Sequence, residues 1–462
     1  RIVHCHNFGA QRLSPSQHHE RRPMWKKLLF TFLMLLTTGL LFLPLRGSVT
    51  VSTMNTGRVY FSNNQMLNLA AVNPIFNILE TATENPFDVD KYSYMSTEEA
   101  TQLVQELLPR HQNTDVVPDS SSLFTTSRPH IILLILESFS SQAWHAMPNV
   151  QRLATEGVYF SNAFASSYRT DRGVVSILSG YPGQPTSSLM LVPYKSQNLP
   201  QLGTSLLQEG YRLKFYYGGD EDFTCMRSYL VNGGFHDRVA DRDFPVSQRI
   251  SKWGVPDHLL FNRVSHDILN RSVSDSTPTL DVVLTLSSHE PFEVDFERYD
   301  NRYLNAIAYT DSCIGAFVNQ LKRTEMWNQT VVVMTADHGY PYPEGVTNFE
   351  PQRYHIPMLM VGGAIREPRE VNVLCSQIDL VPTLLSQMNL PTEDYWFGKN
   401  VLDTTQNEFA FYTYNDGFAL IVPNDTVVVD TKADKPIIGN NPYLERQARA
   451  MVQRVMEKIE EL

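Results

Sequence analysis

The chain is poor in cysteine: Cys5, Cys225, Cys313 and Cys375 are the only four in 462 residues. So few, so widely scattered, exclude a disulfide framework, and the lack of any Cys-x-x-Cys or Cys/His spacing excludes a structural zinc module. They read as small buried apolar residues. No internal repeat and no low-complexity tract is present, which sets aside solenoid and disordered classes. Positive charge is also short, with 38 Lys and Arg against 49 Asp and Glu and a net charge of −11. Six of the basic residues and a single acid fall within residues 1–27, so the rest of the chain is more acidic than the total suggests. An acidic body argues against a nucleic-acid partner.

What is present is a large apolar endowment, 42% hydrophobic and 11% aromatic residues, enough for one large domain with a smaller appendage. The uncharged run "LLFTFLMLLTTGLLFLPL", residues 28 to 45, follows Lys26 and Lys27. It has about the minimum length for a membrane helix and is apolar all round, which disfavours a core helix. No small-x-small cleavage signal stands out near "LPLRGSV", which favours an uncleaved anchor over a signal peptide. Residues 1–27 are therefore expected to be a basic cytoplasmic segment, residues 28–46 a transmembrane helix, and everything after Arg46 to lie outside the cytoplasm. The chain opens with arginine, which leaves room for earlier spans.

Residues 47–128 read as a juxtamembrane linker with helices, one of them "STEEATQLVQELL" behind a capping box from Ser96 to Glu99. From residue 129 to 404, short apolar runs alternate with helix-length segments: "HIILLILE", "YRLKFYYGG", "LDVVLTLSS", "TVVVMTADHG" and "IPMLMVGG". Continuous apolar runs spaced this way are strands buried on both faces of a mostly parallel sheet, so the class is α/β. Residues 405–462 predict antiparallel strands and a closing helix.

The strand ends carry chemistry. In open α/β sheets, ligands bind beyond the carboxyl ends of the strands. The first run finishes in Glu137, the third in "SSHEPF" with His289, and the fourth in "ADHG" with Asp337 and His338. Singly, Glu137 reads as a cap for the next helix and His289 as a hydrogen-bonded loop residue. Together with the adjacent Asp337–His338 pair they suit a divalent cation such as Mn²⁺ or Zn²⁺. In "SSYRTDRGVVSILSGYP" a helix beginning near Asp171 would aim its free N–H groups at Thr170, an anion site that Arg169 and Arg172 reinforce. Thr170 is then an ordinary N-cap or a nucleophile whose hydroxyl loses its proton to a metal. The neighbouring acid and imidazole groups favour the nucleophile.

Glu after the first strand, Thr at a helix start, "SSHEPF" and then Asp-His, in that order, resemble the lipoteichoic acid synthase type of phosphoglycerol transferase in the alkaline phosphatase and sulfatase superfamily. "YYGGDEDF", "QIDLVPTLL" with "FGKN", and "YNDGFALI" add weaker support, and the likeness runs from about Arg46 to about residue 420. It implies an alkaline phosphatase/sulfatase-like sandwich and a single catalytic ion, Mn²⁺ or another divalent cation such as Zn²⁺ or Mg²⁺, held by Glu137, Thr170, Asp337 and His338. It further implies Thr170 as nucleophile and His289 at the phosphoryl group or as proton donor to the departing alcohol. Asp220 and Arg227 fall where the family grips glycerol phosphate, although "FTCMRSY" replaces the family's tryptophan-containing pattern. His355, in "RYHIPMLM", matches a substrate-side histidine of related phosphoethanolamine transferases or is simply a loop residue leading into a strand.

The expected partners are a phosphatidylglycerol-like donor in the same membrane and an envelope glycan, lipid or water as acceptor. The inner membrane is the expected location, with the catalytic domain periplasmic. Phosphoethanolamine transfer, sulfate-ester or phosphodiester hydrolysis, and a non-catalytic envelope role are the alternatives. None of the four cysteines lies in the C/S-x-P-S-R context of classical sulfatases.

Overall fold

The computed structural model describes residues 23–47, 53–62, 64–83, 87–109, 122–271 and 276–462. Most of the basic segment, Cys5 included, lies outside them. The chain divides into two compact units, Arg1–Met54 and Asn55–Leu462. In the first, one helix spans Met24–Arg46, and it is long and apolar enough to cross a membrane. Its Thr37 and Thr38 hydroxyls donate back to the carbonyls of Leu33 and Met34, both at 2.8 Å, so these polar groups are satisfied within the helix as a lipid environment demands.

The second unit is built on strands β1 (His130–Leu136), β2 (Val158–Phe160), β3 (Ala163–Phe164), β4 (Arg212–Tyr217), β5 (Asp237–Val239), β6 (Thr279–Leu284), β7 (Thr330–Ala336), β8 (Met358–Val361), β9 (Arg369–Val371) and β10 (Cys375–Ser376). Eight of them form one sheet in the order β5-β4-β6-β1-β7-β8-β2-β9, while β3 pairs with β10. From β5 to β7 every pairing is parallel. The period-2 alternation of side chains explains the apolar runs. Ile131, Leu133 and Ile135 of β1 enter one core with Val174, Ile177 and Leu178 of the helix Thr170–Ser179. Ile132, Leu134 and Leu136 enter a second core with Val150, Leu153 and Phe317 of the helices Pro148–Glu156 and Arg302–Leu321. The sheet is thus covered on both faces.

One expected parallel strand is not parallel. Within "IPMLMVGG", β8 runs antiparallel to both β7 and β2. A parallel return needs a crossover, usually helical, whereas residues 339–357 hold only the single turn Pro351–Tyr354.

After β10, strands β11 (Ala410–Tyr414), β12 (Gly417–Val422), β13 (Asp425–Asp430) and β14 (Lys435–Ile438) form a four-stranded antiparallel sheet, followed by the helix Pro442–Glu461. That helix buries Ala450 against Ala100 and Leu103 of the helix Thr97–Leu107. Gln453 Oε1 accepts from the backbone N–H groups of Tyr94 and Met95. From Asn55 onward, the stretch expected to be a linker is therefore part of the folded unit. Cys225 and Cys375 are buried and Cys313 is half-buried.

Beyond β10, Lys399 and Asp379 form an ion pair at 3.0 Å with almost no exposure. Asp379 also accepts from the N–H groups of Ser376 and Lys399, and the ammonium donates to the Phe409 carbonyl while sitting over that ring.

Candidate active site

Glu137 follows β1, and its backbone is pinned from β6. Its N–H donates to Thr285 Oγ1 at 2.9 Å, and its carbonyl accepts from Ser288 Oγ at 2.6 Å. Asp337 and His338 follow the neighbouring strand β7. Parallel neighbours present equivalent ends at one height, so the three side chains meet: one ligand atom from each of Glu137, Asp337 and His338 lies within 4.8 Å of the others, and all three residues are buried. His338 Nε2 is 3.6 Å from both Glu137 Oε1 and Asp337 Oδ2.

The donor set fits a divalent cation. Asp337 Oδ1 accepts from the N–H groups of Ser138 (2.8 Å) and His338 (2.7 Å), but its buried Oδ2 has no hydrogen-bond partner. Buried carboxylate oxygens are normally satisfied, so this orphan calls for a ligand. The His338 Nδ1 faces the Gly339 carbonyl at 3.2 Å, an arrangement that holds a proton on Nδ1 and leaves Nε2 as a lone-pair donor.

Thr170 completes the group. Its hydroxyl donates to Glu137 Oε2 at 3.0 Å. The helix begins at Thr170 itself, with Arg169 as an N-cap that makes no side-chain cap bond. The N-cap reading of Thr170 is thereby corrected: its hydroxyl turns away from the helix backbone because the Glu137 carboxylate competes for it. At the other end, Gly180 closes the helix in the left-handed conformation at φ 58°.

Gly173 lets this helix reach the cluster. A Cβ there would stand 2.0 Å from the Asp337 carbonyl oxygen. Gly173→Ala must push the Asp337 loop away, and we expect divalent-ion affinity to fall by about 10- to 100-fold, the usual effect of disturbing a ligand's support. Calorimetric titration with Mn²⁺ checks it.

Burial drives the electrostatics. Desolvation first, and the charge of Asp337 second, push the Glu137 carboxyl up to about 7. Desolvation likewise raises Asp337 to about 6, and it lowers His338. The ion needs both carboxylates deprotonated, so its affinity should fall about tenfold per pH unit below about 7 and more steeply below about 6. The same raised values mean that the metal-free fold binds more protons than the unfolded chain. Its stability therefore declines as pH rises from the ordinary carboxyl range through about 7, and an ion restores it. Titrations between pH 5 and 8, in buffers of different ionisation enthalpy, read both proton release and affinity; a flat profile would contradict the assignment.

The other expected residues are distributed around this centre. His289 is close enough for its charge to lower Glu137. Its ring packs on Trp253 at 4.4 Å between centroids, and its Nδ1 faces the Glu290 carbonyl at 2.8 Å. Arg172 is buried and Arg169 exposed, the latter 3.9 Å from Asp171. Asp220 accepts from the Asp222 N–H. Its charge, with those of Glu137, Asp337 and Asp241, raises the hydroxyl of Tyr217, which burial raises first. Arg227 is paired with Asp222 at 2.6 Å and Glu221 at 3.5 Å, in a network that also takes in Arg58, Arg238 and Arg242. Between Asp220 and Arg227, Thr224 and Cys225 sit at φ 53° and 60°, left-handed positions that are uncommon outside glycine and cluster at functional sites. His355 lies elsewhere in its bonding: Nε2 faces the Ser161 carbonyl at 3.0 Å and the ring stacks on Phe164.

Two supporting residues were not singled out from the sequence. Gln377 Nε2 donates to the carbonyls of Ala336 and Asp337 (2.5 and 2.6 Å) while its Oε1 accepts from Ser166 N–H, which ties the Asp337 loop to the Thr170 segment. It opens "QIDLVPTLL", where only the motif and not its role was visible. Ser138 Oγ donates to Glu137 Oε1 at 2.7 Å; nothing in its sequence context marked it.

A buried, mostly parallel sheet whose strand ends gather two carboxylates, an imidazole and a threonine at a helix start defines an α/β protein with a candidate metal centre at the strand ends. More narrowly, the chain belongs to the sulfatase family, whose model matches residues 129–390. It is 27% identical over 283 residues to a phosphoglycerol transferase I of Xanthomonas campestris pv. campestris (strain B100), covering 55% of this chain and 39% of that protein. It is 21% identical over 309 residues to the inner membrane protein YejM of Salmonella typhi, covering 65% and 49%. The chain thus spans about two fifths of the length of the phosphoglycerol transferases it matches. Among solved structures, an alkaline phosphatase superfamily protein from Vibrio parahaemolyticus shares the fold with a TM-score of 0.70 at 23% identity, covering 81% of this chain and 98% of that one. The lipoteichoic acid synthase LtaP of Listeria monocytogenes does so with a TM-score of 0.63 at 18% identity, covering 78% and 98%.

Proposed function

We propose that this chain is a membrane-anchored, metal-dependent phosphoglycerol transferase of lipoteichoic acid synthase type, which moves glycerol phosphate from a phosphatidylglycerol-like lipid to an envelope glycan, lipid or water. The observation that carries this reading is the Thr170 hydroxyl, at a helix start, hydrogen-bonded at 3.0 Å to a carboxylate of the Glu137–Asp337–His338 cluster. The likeness to phosphoglycerol transferase I supports the donor, and the likeness to an inner membrane protein supports anchoring through Met24–Arg46; the basic residues ahead of that helix favour the periplasmic side for the chain that follows it.

Glu137, Thr170, Asp337 and His338 would hold the ion, for which we favour Mn²⁺. When bound, it supplies acidity to the threonine hydroxyl and neutralises charge on phosphoryl oxygens. In the first step, Thr170 Oγ gives its proton to Glu137 Oε2 and attacks phosphorus, the Oγ–P bond forms, and the bond to the diacylglycerol oxygen breaks. The departing oxygen takes a proton, a role we assign to His289, whose Nδ1 contact with the Glu290 carbonyl leaves Nε2 to carry the exchangeable proton. In the second step an acceptor hydroxyl gives its proton to His289 and attacks the same phosphorus, the Oγ–P bond breaks, and Thr170 takes its proton back from Glu137. The helix N-terminus and Arg172 hold the remaining negative charge, with Arg169, Asp220, Arg227 and His355 as further candidates for contact with the substrate. Sharing a bilayer with the donor raises its effective concentration.

Intact mass spectrometry of the chain after incubation with phosphatidylglycerol and Mn²⁺ tests this. A glycerophosphoryl adduct mapped to Thr170, with release of diacylglycerol, is expected. Absence of both, or an adduct only from a phosphoethanolamine or sulfate donor, would overturn the assignment.

A further inference from the structure

His289 stands in a loop that gives its ring little support of its own. Nδ1 contacts the carbonyl of the next residue, Glu290, at 2.8 Å. One such bond leaves the plane of a half-buried ring to be set by whatever stands beside it. The neighbour is Trp253. The two ring centroids are 4.4 Å apart at an interplanar angle of 50°, and Trp253 Nε1 donates to the same Glu290 carbonyl at 2.6 Å. A carbonyl offers two lone pairs and no proton, so His289 Nδ1 must be the donor in its own contact, and Nε2 is the nitrogen left for reaction. Packing alone does not require this arrangement. Trp253 lies at the margin of the core, where its N–H could face solvent, yet it is turned to the carbonyl that His289 uses.

Trp253 is itself held from several directions. Its ring meets Phe223 of the Asp220–Arg227 stretch at 5.6 Å between centroids, and the Lys252 ammonium lies 5.3 Å from its centroid. The next residue, Gly254, bridges to Gly219 beyond β4, and Val255 N–H donates to the Gly218 carbonyl at 2.8 Å. A Cβ on Gly254 would stand 2.2 Å from the Gly218 oxygen, and its φ of 143° disfavours any side chain, so only glycine lets the turn sit this close. Further along, the fully buried Asp257 accepts from the N–H groups of Leu286 (2.8 Å) and Ser287 (3.2 Å). His289 N–H in turn donates to the Leu286 carbonyl at 2.9 Å. One short stretch, residues 251–257, therefore holds the His289 loop at its base through Asp257 and at its ring through Trp253.

We propose that Trp253 is a positioning residue for proton delivery: it fixes the ring of His289 so that Nε2 faces the oxygen leaving phosphorus. This rests on the role assigned to His289 above and deepens it. The proton passes from Nε2 to the departing oxygen in the first step and returns from the acceptor hydroxyl in the second, and Trp253 exchanges none. Without the indole the imidazole can pivot about its side-chain torsions, and a displacement of about 1 Å at a reacting group lowers rates by roughly 10²-fold.

A leaving-group comparison on the full, Mn²⁺-loaded chain tests this. Phosphatidylglycerol releases diacylglycerol, an alkoxide that must be protonated, whereas the p-nitrophenyl ester of glycerol phosphate releases a phenolate stable enough to depart without a proton. Trp253→Leu should slow the lipid reaction at least about tenfold, in kcat rather than KM, and the p-nitrophenyl reaction by less than about threefold. His289→Ala should show the same selectivity, and adding Trp253→Leu to it should change little, because the indole then has nothing to position. Trp253→Phe keeps a ring beside His289 and loses the N–H, so it should fall between the parent and the leucine variant; it also carries the comparison should Trp253→Leu fail to fold. Equal slowing of both esters by the Trp253 variants, no slowing of either, or losses that multiply in the double variant would overturn the proposal.

A second measurement needs no turnover. In the metal-free chain with isotope-labelled histidine, the ring signals of His289, identified by their loss in His289→Ala, should be single in the parent and should shift and multiply in Trp253→Leu. Unchanged signals would overturn the proposal. If no adduct forms on Thr170, the transferase reading fails, while these signals still decide whether Trp253 sets the orientation of His289.

Discussion

Thr170→Ala should lower the rate of glycerophosphate transfer by at least about 10³-fold, the scale on which removing a covalent nucleophile acts. Among the described residues the site offers no substitute: the other hydroxyl bonded to the Glu137 carboxylate is that of Ser138, held on Oε1 at φ 59° in the tight turn after β1. Thr170→Ser keeps an oxygen at the first helical position and should retain measurable turnover, with a slower first step because the β-branch that limits its rotamers is gone. Thr170→Val preserves shape and removes chemistry. Initial rates with a fluorescent phosphatidylglycerol, alongside mass spectrometry of the trapped adduct, separate these outcomes. Alanine turnover within tenfold of the parent would show that Thr170 is structural. Loss of the hydroxyl also leaves Glu137 Oε2 without the donor at 3.0 Å, so Mn²⁺ affinity should drop with it.

Lys399→Met should destabilise the fold by about 3–5 kcal/mol, the effect of stripping one partner from a buried ion pair. Asp379, with no exposed side-chain surface, would keep two backbone donors and lose the ammonium it is paired with. The consequence reaches the active site. Asp379 closes the turn Gln377–Asp379, and Gln377 is the clamp on the carbonyl of Asp337. Loosening that turn should weaken metal binding as well as stability, even though Lys399 belongs to a different motif, "FGKN". Asp379→Asn on the Lys399→Met background removes the stranded charge and should recover part of the lost stability. Urea unfolding of the metal-free chain reads the first effect and manganese titration the second; an unchanged midpoint in Lys399→Met would mean that water reaches the carboxylate.

Much of the site could be read before folding because its signals are local. Glu137 and the Asp337–His338 pair stand immediately after the seven-residue, mostly apolar strands β1 and β7, and parallel strands deliver equivalent ends to one rim. Residues that act over distance left no such mark. Gln377 matters because its amide spans from the Ala336 and Asp337 carbonyls to the Ser166 N–H. Trp253 belongs to a short turn, and nothing in its sequence context marked its contact with His289. The reversed direction of β8 and the docking of the segment after Asn55 were hidden for a related reason: an apolar run specifies that it is buried, not which way it is paired or what covers it.

Local patterning by itself settled the class of fold, the apolar amino-terminal helix and the identity of the clustered acid, imidazole and hydroxyl residues, because periodicity and strand-end chemistry are written in consecutive positions. Only the tertiary structure decided that Thr170 turns its hydroxyl to Glu137, that Arg227 is locked among acids, and that Arg172 and Arg353 share the ring of Tyr168. Charge pairing is a property of distance in space, and residues acquire their partners when the sheet and its loops close.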